Sequence, residues 1–168
     1  CCMGGFLILL LMKIEINWNQ TTQLINTSRV RKLMQYLMEQ AARLNPHRKW
    51  QSVSVVLLDD AGISRINRLY LDREHVTDVI SFATPTVVPA DGWQGEIFVN
   101  VQRACEVGEG RRGGAQDELA LYLAHGVDHL TGSGDYTPAD QKRMRRRELR
   151  WLAGARAKGL LGRLLIFD

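Results

Sequence analysis

The stretch from Gln116 to Gly132 constrains the fold more than any other. Leu119, Leu123, Val127 and Leu130 recur at helical spacing, so the segment reads as one helix to about Leu130. Glu118, Tyr122, His125 and His129 form a stripe beside the apolar one, which sets them at the edge of a core. His125 and His129 are four residues apart and stand one turn above the other on a single face. Gly132 is suited to stop the helix, and Gly132 with Gly134 lets the chain reverse, since glycine tolerates positive φ. That reversal can bring Asp135 back beside the histidines. Two imidazoles and a carboxylate suit one zinc ion and leave a fourth coordination position open. An ion so held lowers the pKa of a water it binds from about 15.7 toward roughly 7, so the chemistry implied is hydrolysis. Histidines at this spacing also occur on plain solvated faces. The glycine turn and the carboxylate set this pair apart.

The rest of the chain surrounds that helix with short elements. Residues 13–18 alternate like a half-buried strand, and residues 53–58 read as a second. Thr27 or Ser28 is placed to cap a helix through about Leu44, carrying Val30, Leu33, Met34, Leu37 and Ala41 and stopped by Asn45-Pro46. Asp59-Asp60 introduces a short helix bearing Ile63, Ile66, Asn67 and Tyr70. Val79–Phe82 and Glu96–Val101 are further strands, separated by a Pro- and Gly-containing loop at 84–95. Gln102 to Glu109 makes another short helix, ended by the Gly- and Arg-rich 110–114 segment. A last basic helix covers roughly Pro138 to Lys158. This order predicts a small single-domain α+β fold, a mixed and mostly four-stranded sheet packed by about five helices. The domain is expected to span 12–158, with 159–168 a tail.

Composition narrows the class without naming a function. The 168 residues are 45% hydrophobic and 24% charged, as in a globular domain that buries its own core. A formal charge of +4 leans mildly toward polyanionic partners. Three cysteines, Cys1, Cys2 and Cys105, make no disulfide framework, and a reducing compartment, the cytoplasm, is the simpler reading. The apolar run Phe6 to Leu11 is too short to span a bilayer, so no membrane association is expected. Met12 is read as a natural start and residues 1–11 as an upstream extension.

At this point the sequence resembles the YbeY family of zinc-dependent endoribonucleases. His125, Gly126, His129, Leu130 and Gly132 match its H-G-x-L-H-L-x-G-Y-D-H motif position for position. Thr77-Asp78-Val79-Ile80-Ser81-Phe82 resembles the family's T-D-V-L-S-F, Gly95-Glu96-Ile97 its G-D-I, and Asn67 and Tyr70 match the preceding helix. The resemblance implies one Zn2+ held by His125, His129 and Asp135, and an endoribonuclease that cleaves single-stranded RNA. It further implies a role in rRNA maturation, at the 3′ end of 16S rRNA, and in ribosome assembly, with rRNA precursors and the small subunit as partners.

Three departures from that pattern bear on the chemistry. Asp135 stands where the family has its third histidine, adding a negative charge that holds the cation and tempers its Lewis acidity. Asp128 replaces a leucine and is read as solvated or salt-bridged. A functional arginine of the family falls on Leu71, so orienting the phosphate passes to Arg68 or Arg73, with Arg73 taken as catalytic beside His125 and His129. Thr77, Asp78, Ser81 and Glu96 are read chiefly as turn and strand chemistry.

On the last helix Arg143, Arg146, Arg147 and Arg150 share one face and form a candidate RNA-binding stripe. No interleaving of aromatic and basic residues signals a stacking platform. Two other readings stay open. A zinc peptidase would use H-E-x-x-H with the glutamate as base, and that position is Gly126 here. A non-catalytic RNA-binding assembly factor with a structural metal would tolerate Leu71.

Overall fold

The structure, a computed structural model, describes residues 12–20, 22–88 and 92–167; the expectations for residues 1–11 lie outside it. Strands β1 (Lys13–Asn19), β3 (Trp50–Leu58), β4 (Val79–Pro85) and β5 (Trp93–Asn100) form one sheet in the order β1-β3-β5-β4. β1, β3 and β5 are parallel, and β4 closes one edge antiparallel to β5. Helices α1 (Thr27–Leu44), α2 (Asp60–Leu71), α3 (Val101–Glu109), α4 (Gly114–Leu130) and α5 (Pro138–Ala157) pack around it. This is the small mixed α+β domain that the sequence pattern predicts.

Alternation along the strands serves both faces of the sheet. Val53, Val55, Leu57, Ile97 and Val99 join the main core with α1, α4 and α5, whereas Leu58, Ile80 and Phe98 pack with Ile63 of α2 in a smaller cluster. A strand apolar on both sides is what a central parallel strand requires. α4 presses closely on the sheet. A Cβ on Gly126 would stand 2.7 Å from Ile97 Cγ2, and one on Gly95 would stand 2.8 Å from Leu130 Cδ1. Neither glycine leaves room for a side chain. The end of α4 is held from outside the helix: Arg48 donates to the Leu130 carbonyl while its guanidinium lies 4.0 Å from the Trp93 ring centre, and Asn45 Nδ2 donates to Thr131 O at 3.3 Å. These bonds satisfy carbonyls that a helix end leaves without partners.

Local differences from the sequence expectations have plain causes. The cap of α1 is Asn26, whose side chain accepts from Arg29 N at 3.2 Å, rather than Thr27 or Ser28. All three residue types cap well, so the pattern fixes the region and not the residue. The expected 84–95 loop is shorter, because pairing with β5 continues to Pro85 and begins again at Trp93. The larger correction concerns the tail. Leu161, Leu164 and Leu165 are buried in the main core, and β6 (Leu165–Ile166) pairs antiparallel with β2 (Leu24–Ile25). Gln116 of α4 accepts from Leu164 N at 2.7 Å and donates to Leu165 O at 3.0 Å. The segment after α5 is therefore part of the domain. Three leucines without a helical or strand period carry no recognisable pattern in sequence.

Candidate metal centre

The helical register of α4 brings His125 and His129 edge to face, with ring centres 4.5 Å apart and Nε2 atoms 3.1 Å apart. Gly132, at φ +91°, ends the helix as expected, and its N–H donates to His129 O at 3.0 Å. Gly134 has no positive φ; a Cβ there would stand 2.1 Å from the Tyr136 ring, an exposed side chain that can swing aside. The turn returns Asp135 to the pair, and one ligand atom from each of the three residues lies within 4.8 Å of the others. The predicted triad meets.

The surroundings fix which nitrogen of each ring is free. His125 Nδ1 lies 2.6 Å from the Glu148 carboxylate, and His129 Nδ1 lies 3.2 Å from the Ser133 carbonyl. Both partners only accept, so each Nδ1 carries a proton and each Nε2 presents a lone pair. Two lone pairs 3.1 Å apart need a cation between them. Two nitrogens about 2.0–2.1 Å from one tetrahedral ion lie roughly 3.3 Å apart, so the donor set fits a zinc ion. Without metal, a proton can take that place. Burial works against the His125 imidazolium, but the hydrogen bond and charge of Glu148, with the charges of Asp78 and Asp135, outweigh it and hold the His125 pKa above its ordinary value.

Glu148 is almost fully buried on α5, and the sequence does not mark it as a partner of His125. It stands in the buried face of α5 with Met144, Trp151, Leu152 and Ala155. A carboxylate inside an apolar stripe was the signal available. Glu148→Gln keeps the shape and removes the charge behind His125, and we expect zinc affinity to fall about 10–100-fold. Competition against a chromogenic chelator measures this; an unchanged affinity would remove Glu148 from the site.

Next to it, Arg147 spans Asp128 with two bonds of 2.9 and 2.6 Å and reaches Ser133 Oγ at 2.8 Å. Asp128 is fully buried, so it is salt-bridged and not solvated. This corrects the expected stripe: Arg147 is not on its open face. Lys142, Arg143, Arg146 and Arg150 do line one shallow concavity of the α5 surface.

Two clefts meet at the triad, sharing Thr77, Asp78, His125 and Asp135. One, of about 450 Å³, is also lined by Arg73, Ser81, Phe82, His129 and Tyr136. Asp72, at φ 51°, turns the chain after α2, and Asn67 Nδ2 donates to His75 O at 2.7 Å, which shapes the loop presenting Arg73. Leu71 lines the same cleft, whereas Arg68 lies outside its lining, 3.8 Å from Glu74 in an exposed pair. Of the two arginines weighed against Leu71, the structure puts Arg73 near the triad. The other cleft, of about 540 Å³, carries Arg103, Arg111, Arg145 and Tyr122. There, burial together with Glu118 and Asp78 raises the Tyr122 phenol well above its ordinary pKa. Thr77 Oγ1 and Val79 N both donate to Asp78 Oδ1, the turn role expected of these residues.

Fold and site together define a single-domain α+β protein with a candidate metal-binding triad, carried by a helix and the turn after it, at the edge of its core. The chain belongs to the Endoribonuclease YbeY family, whose model matches residues 15–156. It is 30% identical over 146 residues to the Endoribonuclease YbeY of Desulfitobacterium hafniense, covering 82% of this chain and 93% of that one. Identity to the Salinibacter ruber protein of the same name is 34% over 106 residues, 60% of this chain and 68% of the relative. The Anaeromyxobacter dehalogenans relative is 36% identical over 115 residues, and the match spans 57% of its length. The solution structure of TM1509 from Thermotoga maritima shares the fold, with a TM-score of 0.56 at 19% identity over 88% of this chain and 94% of that one.

Proposed function

We propose that this protein is a zinc-dependent, single-strand-directed endoribonuclease of rRNA maturation and ribosome assembly, acting in the cytoplasm on rRNA precursors. The observation that carries the reading is the pair of free Nε2 atoms beside Asp135, in a family named for RNA cleavage. His125, His129 and Asp135 would hold the ion. A zinc ion at such a site supplies Lewis acidity toward a phosphoryl oxygen and acidifies water. The protein supplies the rest. Glu148 and Ser133 lock the imidazole tautomers, Arg73 faces the negative charge of the reacting phosphodiester, and Arg143, Arg146 and Arg150 neutralise flanking phosphates.

Peptide hydrolysis fits poorly. The general-base position of a zinc peptidase is Gly126, and that position faces Ile97 and Val79 of the sheet at a distance that admits no side chain. We expect metal-depleted protein to leave single-stranded RNA intact, zinc to restore cleavage, and casein to stay whole in both states. RNA that survives every zinc load, with a zinc-dependent rise in melting temperature, would overturn the enzymatic reading in favour of a structural metal. Cleaved casein would favour the peptidase.

A further inference from the structure

The metal-side cleft is edged by an aromatic ring that the roles assigned above leave unused. Tyr136 follows Asp135 and is 91% exposed, so its ring contributes almost nothing to the core. The ring lies beside Gly134, where a Cβ would come 2.1 Å from Cε2 and 2.5 Å from Cδ2, and its exposed face is open to a ligand. On one side Tyr136 lines the cleft with His125, His129, Asp135 and Arg73. On the other it borders a smaller hollow with Ser133 and Arg143, and Arg143 also belongs to the basic surface of Lys142, Arg146 and Arg150. The ring thus borders both the triad's cleft and a track of basic residues whose nearest member, Arg143, is paired with Asp140. A chain of phosphates leaving the triad toward that track passes the ring.

We propose that Tyr136 is the nucleobase-stacking wall of this site, a specificity-determining residue that receives the base beside the scissile phosphate. The proposal rests on the RNA-cleaving reading above and names how that site would select its substrate. Stacking on an aromatic face is open to any base, but only to one outside a duplex stack, so the residue selects single strands without selecting sequence. Arg143, Arg146 and Arg150 contribute charge that is indifferent to the bases.

The test compares binding of a short single-stranded oligoribonucleotide with its abasic analogue, which keeps the phosphates and lacks the bases. It uses the zinc-loaded 168-residue chain carrying Tyr136, Tyr136→Phe or Tyr136→Ala, with a cleavage-resistant phosphorothioate backbone in both oligonucleotides. Tyr136→Ala is expected to weaken binding of the base-bearing strand about tenfold or more, to leave the abasic strand unchanged, and to keep zinc content and melting temperature. Tyr136→Phe keeps the ring and is expected to bind like the parent. Equal losses on both oligonucleotides, or none on either, overturn the stacking role while the RNA reading stands. If the parent protein binds neither oligonucleotide, the proposal and the RNA reading fall together.

Discussion

Replacing His125 or His129 by alanine is expected to remove bound zinc and bring RNA cleavage to background, with the fold retained. Each histidine is one of the three proposed ligands, so its loss should cost more than the roughly 10–100-fold typical of an outer partner. Both rings sit at the edge of the core, and their removal opens no sealed cavity. Elemental analysis beside circular dichroism measures both halves of the expectation; a His129→Ala protein holding one equivalent of zinc would sink it. Asp135→Ala should also lose metal. Asp135→His should keep zinc and cleave faster, because a neutral ligand leaves the ion a stronger Lewis acid. The pH dependence follows from the raised His125 pKa. The metal-free protein keeps its proton to a higher pH than an ordinary histidine, so the proton competes with zinc, and affinity falls as pH is lowered through that value.

Arg147→Ala is expected to be the most destabilising single change near the site. It would leave the Asp128 carboxylate fully buried without its two bonds, and breaking a buried pair from one side costs about 3–5 kcal/mol. For a domain of this size the melting temperature should fall by about 6–20 °C. The double variant Asp128→Leu, Arg147→Met should recover most of the loss, since replacing both members with apolar groups removes the unpaired charge. Differential scanning calorimetry decides the matter; a single variant melting with the parent would mean that Asp128 has found water or another partner. In the double variant Ser133 also loses its bond from Arg147, and its carbonyl orients His129, so zinc affinity should fall even where stability returns.

How much of the site could be read ahead depended on where its parts lie in the chain. His125, His129, Gly132 and Asp135 fall within eleven positions, and helical spacing plus one glycine turn place them. Arg73 is named only through the resemblance, and its loop owes its form to Asp72 in the left-handed region, an unusual conformation that no pattern announces. Glu148 and Arg147 are neighbours in sequence inside a run of arginines, yet both turn inward, one to His125 and the other to Asp128. Taken alone, the wheel of α5 put Arg147 with Arg143 and Arg150. The packing of α5 against α4 moved it to the seam.

Residue periodicity therefore determined the helices and the four main strands, and with the glycine turn it brought His125, His129 and Asp135 together as a candidate triad, because these depend on groups a few residues apart. The crossing of α4 and α5 decided which charges are buried, the paired glycines decided how closely α4 lies on β4 and β5, and the turn decided that Tyr136 would stand beside Arg143. Those outcomes depend on shape fitting between distant segments, where one burial excludes another. No local pattern encodes that competition.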